Sequence, residues 1–168
     1  MVGFGILLVG LGAVIMGIYH LARRRYVAID EIGSVIGTYR GAAVVCQGLS
    51  EAFAGVGVLG LGLVRVLGQN VAAADWLTRR PWPILVCGSL AALFFGCFMM
   101  LGSREQRQSR MWFMMSIPGR LLGLLLVVLA LAGLVLGLLD LVAPTQFDRG
   151  VGTVRALLPR DFPEGRQR

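Results

Sequence analysis

Glu51 stands near the middle of residues 41–67, GAAVVCQGLSEAFAGVGVLGLGLVRVL, a stretch long and apolar enough to cross a bilayer. A carboxylate in hydrocarbon gives up hydration that costs several kcal/mol. It therefore keeps its proton or finds a donor. Gln47 lies one helical turn earlier on the same face, so an amide–carboxyl hydrogen bond is expected. Nine residues of helix from the near membrane face put Glu51 roughly 14 Å deep. At that depth the other apolar segments present Gly12, Ala92 and Leu129, none of them a base or a cation. Arg65 is about 21 Å further along the same helix and out of reach. Three roles then follow for Glu51: a neutral hydrogen-bonding group inside the bundle, the partner of a donor on another subunit, or a working proton or cation site.

Elsewhere the chemistry is sparse. His20, the single histidine, falls at the end of an apolar run, where an interfacial side chain is expected. Asp30 and Glu31 are adjacent, with no base or metal partner in the pattern, and read as a solvated turn. Cys46, Cys87 and Cys97 lie within apolar runs without CxxC or Cys/His spacing, which predicts packing and no metal site. The glycine runs GFG and GVGVLGLG sit inside apolar helices, where they signify packing and not phosphate binding. No pair of haem ligands falls at matched depth. We expect no catalytic residues and no cofactor beyond bound lipid.

The elements that must position Glu51 are membrane helices. Of the 168 residues 57% are hydrophobic, with a mean hydropathy of +0.77, and the apolar residues gather in long runs. Four spans are predicted: 3–21, 42–65, 83–102 and 119–142. Gly41, Gly48, Gly55 and Gly62 recur every seventh residue and form one helical stripe, bordered by Val44, Glu51, Val58 and Arg65. A bare glycine seam admits another backbone. Gly133 and Gly137 form a GxxxG pair in the fourth span, and Gly119 and Gly123 another. The eleven leucines from Leu121 to Leu139, at about −0.5 kcal/mol each, favour insertion. Trp76, Trp82 and Trp112 flank spans and are expected at headgroup level. Phe94, Phe95, Phe98, Met99 and Met100 read as packing or lipid contact.

Between the spans, 22–40 fits either a short hairpin or an amphipathic helix. Residues 111–117 read as an interfacial segment broken from the fourth span by Pro118-Gly119. The domain is expected to occupy 1–143, followed by an amphipathic to disordered tail over 144–168. The fold class expected is all-α: an integral membrane protein with four transmembrane helices in an antiparallel bundle and short interfacial segments.

The net charge of +7 is carried by 16 basic residues, every one an arginine. They flank the apolar runs instead of forming one patch, which argues against nucleic-acid binding. Arg23, Arg24 and Arg25 directly after the first span place that end in the cytoplasm, and so both termini outside. The lack of lysine suggests a GC-rich genome, and the expected location is a bacterial inner membrane. The expected function is that of a non-catalytic accessory subunit, packed against membrane lipids and other membrane subunits or against further copies of itself. The alternatives are a small oligomeric transporter or channel using Glu51, and a lipid-modifying membrane enzyme.

Overall fold

The computed structural model describes residues 2–29, 35–67, 80, 82–105 and 112–145. Four helices account for most of them: α1 (Val2–Arg23), α2 (Ala42–Leu67), α3 (Trp82–Glu105) and α4 (Trp112–Val142). All four are long and apolar enough to cross a membrane. Each takes in its nearest flanking arginine, Arg23, Arg65, Arg104 or Arg120, so the helices are longer than the apolar runs alone suggest. Arginine's aliphatic stem continues the apolar surface while its head group reaches water, and a charge at the end of a run does not end the helix.

Two strands, β1 (Arg25–Ile29) and β2 (Val35–Arg40), join α1 to α2 as an antiparallel hairpin. The paired residues include Tyr26 with Tyr39 and Val27 with Thr38. Of the two forms open to 22–40, the β-branched and aromatic content favoured the hairpin. Arg24, in the left-handed region at φ 50°, turns the chain out of α1, and Gly41 at φ 69° turns it into α2. Gly41 thus stands outside the helix and does not extend the glycine stripe. A positive φ is what glycine supplies without strain.

The expected break at Pro118 is also absent: Pro118 lies inside α4. Breaking the helix there would unpair several backbone groups, whereas a proline inside it forfeits one hydrogen bond. The helices pack in series, α1 on α2, α2 on α3, α3 on α4. In the first pair, Gly3 meets Arg65 and Val66, Gly10 meets Gly55 and Leu59, and Gly17 meets Gly48 and Ala52. The numbers fall on one helix as they rise on the other, so this pair runs in opposite senses. The best-buried apolar cluster lies at the hairpin end, where Tyr39, Ala43 and Val44 pack with Tyr26, Phe98 and Leu101. The hairpin is therefore seated on α2 and α3.

Candidate functional site

The seam between α1 and α2 is made by glycine on both sides. A methyl at Gly17 would lie 2.5 Å from the carbonyl oxygen of Gly48, and one at Gly55 would lie 2.7 Å from that of Gly10. Backbones in contact leave no room for a side chain. Gly62 meets Leu7 in the same row. The stripe in α2 was legible in the sequence. Its counterpart in α1, Gly3, Gly10 and Gly17 at the same seven-residue period, was not singled out, although the same count finds it.

Glu51 lies at the edge of this seam, and its partner is His20. His20 Nδ1 is 2.7 Å from Glu51 Oε2, and Gln47 Nε2 donates to Glu51 Oε1 at 2.8 Å. The residues expected at Glu51's depth therefore do not decide what it meets, and His20 is packed inside the protein, only 7% exposed. The cause is the direction of the Cα–Cβ bond, which tilts toward the N-terminus of every α-helix. His20, near the end of α1, leans back into the bundle. Glu51, in the first half of α2, leans toward the hairpin. The two side chains close a gap that counting Cα positions leaves open.

The pair is roofed by the hairpin. The Tyr26 ring meets the His20 ring edge-on at 5.0 Å, and Tyr26, Tyr39 and Phe98 contact one another at 5.1–5.8 Å. Burial, and secondarily the charge of Glu51, pushes the Tyr26 phenol above its ordinary pKa, so it stays protonated at neutral pH. Gln47 Oε1, by contrast, is buried without a hydrogen-bond partner. An unmet acceptor of this kind costs about 1–3 kcal/mol.

Two more polar contacts tie helices together. Ser50 Oγ donates to the Ala91 carbonyl at 2.9 Å, joining α2 to α3. At the opposite end of the molecule, Asp140 of α4 is 3% exposed and accepts from the Trp82 backbone N–H at 3.2 Å and from Arg80 Nη1 at 3.4 Å. Trp82 opens α3, so Asp140 caps another helix's N-terminus, where a negative charge is favoured. Asp140 was overlooked because it sits one residue beyond the uncharged run.

The remaining seam residues lie between α3 and α4. Gly96 and Gly123 each face the other's carbonyl, Gly133 faces Ser89 Oγ, and Gly137 faces Val86. Gly119 meets nothing within 4 Å, so the Gly119–Gly123 pair does not act as one contact. Phe94 stacks on Phe53 of α2, and Phe98 belongs to the aromatic cluster under the hairpin. The three cysteines are unpaired. Trp76 and the tail from 146 onward lie outside the described residues, and Trp112 opens α4 with its side chain outside them too. Among the described residues no three His, Cys, Asp or Glu side chains converge as a metal site requires. No known protein family, curated protein or solved structure matches this chain.

Proposed function

We propose that the chain is an integral membrane protein, an antiparallel bundle of four spanning helices in a bacterial inner membrane, that serves as a non-catalytic accessory subunit of a larger membrane assembly. Both termini would lie outside the cytoplasm and the hairpin within it. One observation supports this reading above the others: polar side chains of the spans are spent on links between helices, while the outward faces are apolar. His20–Glu51, Ser50–Ala91 and Asp140–Trp82 each join two helices. Outside them, Phe4, Leu8, Leu11, Ile15 and Ile18 of α1 and Leu121, Leu125, Val128, Leu129 and Val135 of α4 are exposed. Apolar surface on this scale calls for lipid or protein cover. Gly5 and Gly12 of α1 meet nothing within 4 Å and leave backbone open to a further helix. Purification in mild detergent tests the proposal. The chain should travel with larger membrane proteins at a fixed stoichiometry; a lone, monodisperse protein would count against it.

A second reading, a small oligomeric proton or cation conductor, draws on Gln47 Oε1. That unmet acceptor beside a carboxylate is where a cation or hydronium would find two oxygens. Against it, the seam beyond Glu51 is closed by backbone contact at Gly10 and Gly55 and by Gly62 against Leu7. Glu51→Gln in liposomes separates the two: loss of flux with the fold intact supports conduction. The lipid-modifying alternative would need a nucleophile or a metal at Glu51. Among the described residues, His20 and Gln47 are the side chains bonded to its carboxylate.

A further inference from the structure

The last turn of α1 and the start of β1 enclose an open cleft of about 480 Å³, lined by Tyr19, His20, Arg23, Arg25 and Val27. Its shape follows from the turn at Arg24. The left-handed backbone there turns the chain out of α1 and into β1. Arg25 and Val27, two residues apart on a strand, then share the face that looks into the cleft. Arg23 and Tyr19 come from one face of the helix, four residues apart, with the Arg23 guanidinium carbon 5.5 Å from the centre of the Tyr19 ring. All three arginines are exposed, but Arg24, between the other two, does not line the cleft.

The chemistry of this lining is cationic. Among the described residues no carboxylate is bonded to Arg23 or Arg25, and the nearby carboxylate of Glu51 is already engaged by His20 and Gln47. His20 forms the buried side of the cleft. Its Nδ1 is held by Glu51, and Nε2 is the nitrogen left for a ligand. We propose that this cleft is a binding site for a phosphate-bearing anion, gripped by the guanidinium groups of Arg23 and Arg25 and bonded by His20 Nε2–H. Guanidinium forks match phosphate oxygens in geometry as well as charge. A lipid headgroup and free phosphate share this chemistry, and the experiment separates them.

The competing account is that three arginines at a helix C-terminus merely offset its dipole and attract an anionic surface without specificity. That account makes the three equivalent. A built cleft does not, because only two of them line it. The test uses the full chain in neutral detergent, with dihexanoyl phosphatidylglycerol as the anionic probe, dihexanoyl phosphatidylcholine as the zwitterionic one, and inorganic phosphate as a competitor. Binding is read by calorimetry and the fold by circular dichroism. Arg23→Gln and Arg25→Gln should each weaken phosphatidylglycerol binding by about tenfold, the loss of one charge-assisted bond, and Arg24→Gln by less than about threefold. Arg23→Lys, which keeps the charge and loses the fork, should fall between them. Competition by inorganic phosphate assigns the site to free phosphate, and its failure to compete assigns the site to the lipid. Equal losses in all three glutamine variants, or equal binding of the two lipids, would overturn the proposal. Neither outcome depends on whether the chain has a partner subunit.

Discussion

In α1 the seam residues Gly3, Gly10 and Gly17 are followed, three positions on, by His20; in α4 the buried small residues Gly123, Ala130 and Gly137 are followed, three positions on, by Asp140. Both His20 and Asp140 are buried. Three residues after the last small residue is still the face that meets the neighbouring helix, so a polar side chain there is carried into the interface by the same geometry that brings the backbones together. What each meets differs. His20 finds a side chain in the body of α2. Asp140 finds the backbone N–H that opens α3, with Arg80 beside it. One link therefore needs two particular side chains, and the other needs one side chain and a helix end that any sequence would provide.

The largest effect should come from filling the tighter seam. At Gly17 a new methyl meets backbone atoms of Gly48 and Ala52, which cannot rotate away. Gly17→Val should therefore lower stability by about 3 kcal/mol, at the upper end of overpacking costs, or separate α1 from α2 altogether. Gly12→Ala, with nothing within 4 Å, should be neutral or gain up to about 1 kcal/mol from helix propensity. Thermal unfolding in detergent checks both. Unaltered melting of Gly17→Val would mean that backbone contact is not what holds the first pair.

Next in size is the His20–Glu51 link. His20→Leu leaves Glu51 with Gln47 alone, and Glu51→Leu leaves a buried imidazole unbonded; each should cost about 2 kcal/mol. The double variant should cost clearly less than the sum, with a coupling of about 1 kcal/mol or more. Additive losses would show that the two residues stabilise their helices separately, and the contrast with Asp140 would vanish.

The helices and the α2 stripe were legible because hydropathy and a seven-residue period are one-dimensional signals. The His20–Glu51 pair was not, because a residue count gives the height of a Cα and not the lean of a side chain. His20 and Glu51 approach only because antiparallel helices tilt their Cβ atoms toward each other at this end of the pair. Gly41 fitted the period and yet serves as a turn, since periodicity carries no information on φ. Asp140 was hidden for a different reason: its partner is a backbone group, and no residue type announces it.

Alkaline pH should distinguish the two ends of the molecule. The Tyr26 phenol, packed on His20, has a pKa raised above the ordinary 10.0. A raised acid pKa in the folded state means the fold favours the protonated phenol. Its contribution is therefore complete below pH 10 and is lost as pH climbs through the higher folded value. Tyr26→Phe should remove this portion of the alkaline loss while leaving the Asp140 end unchanged, as followed by unfolding of both variants across that range. A Tyr26→Phe protein with the same alkaline profile would place the titrating group elsewhere.

The smallest expected change is at Arg80, and it bears most directly on how the second link works. Arg80 Nη1 approaches Asp140 at 3.4 Å with its side chain 40% exposed, so water and salt screen the attraction. Asp140 itself is enclosed and already receives the Trp82 N–H at 3.2 Å, a donor that the helix start leaves unpaired by its own geometry. If the helix end is the true partner, Arg80→Ala should cost no more than about 0.5 kcal/mol, and the loss should shrink as salt is added. Asp140→Asn, which retains an acceptor for Trp82, should then be milder than Asp140→Leu, which retains none. A loss above about 2 kcal/mol for Arg80→Ala would instead make Asp140 one half of a buried charge pair. Both ends of the molecule would then be fastened by matched side chains, and the difference between a side-chain pair and a helix cap would disappear.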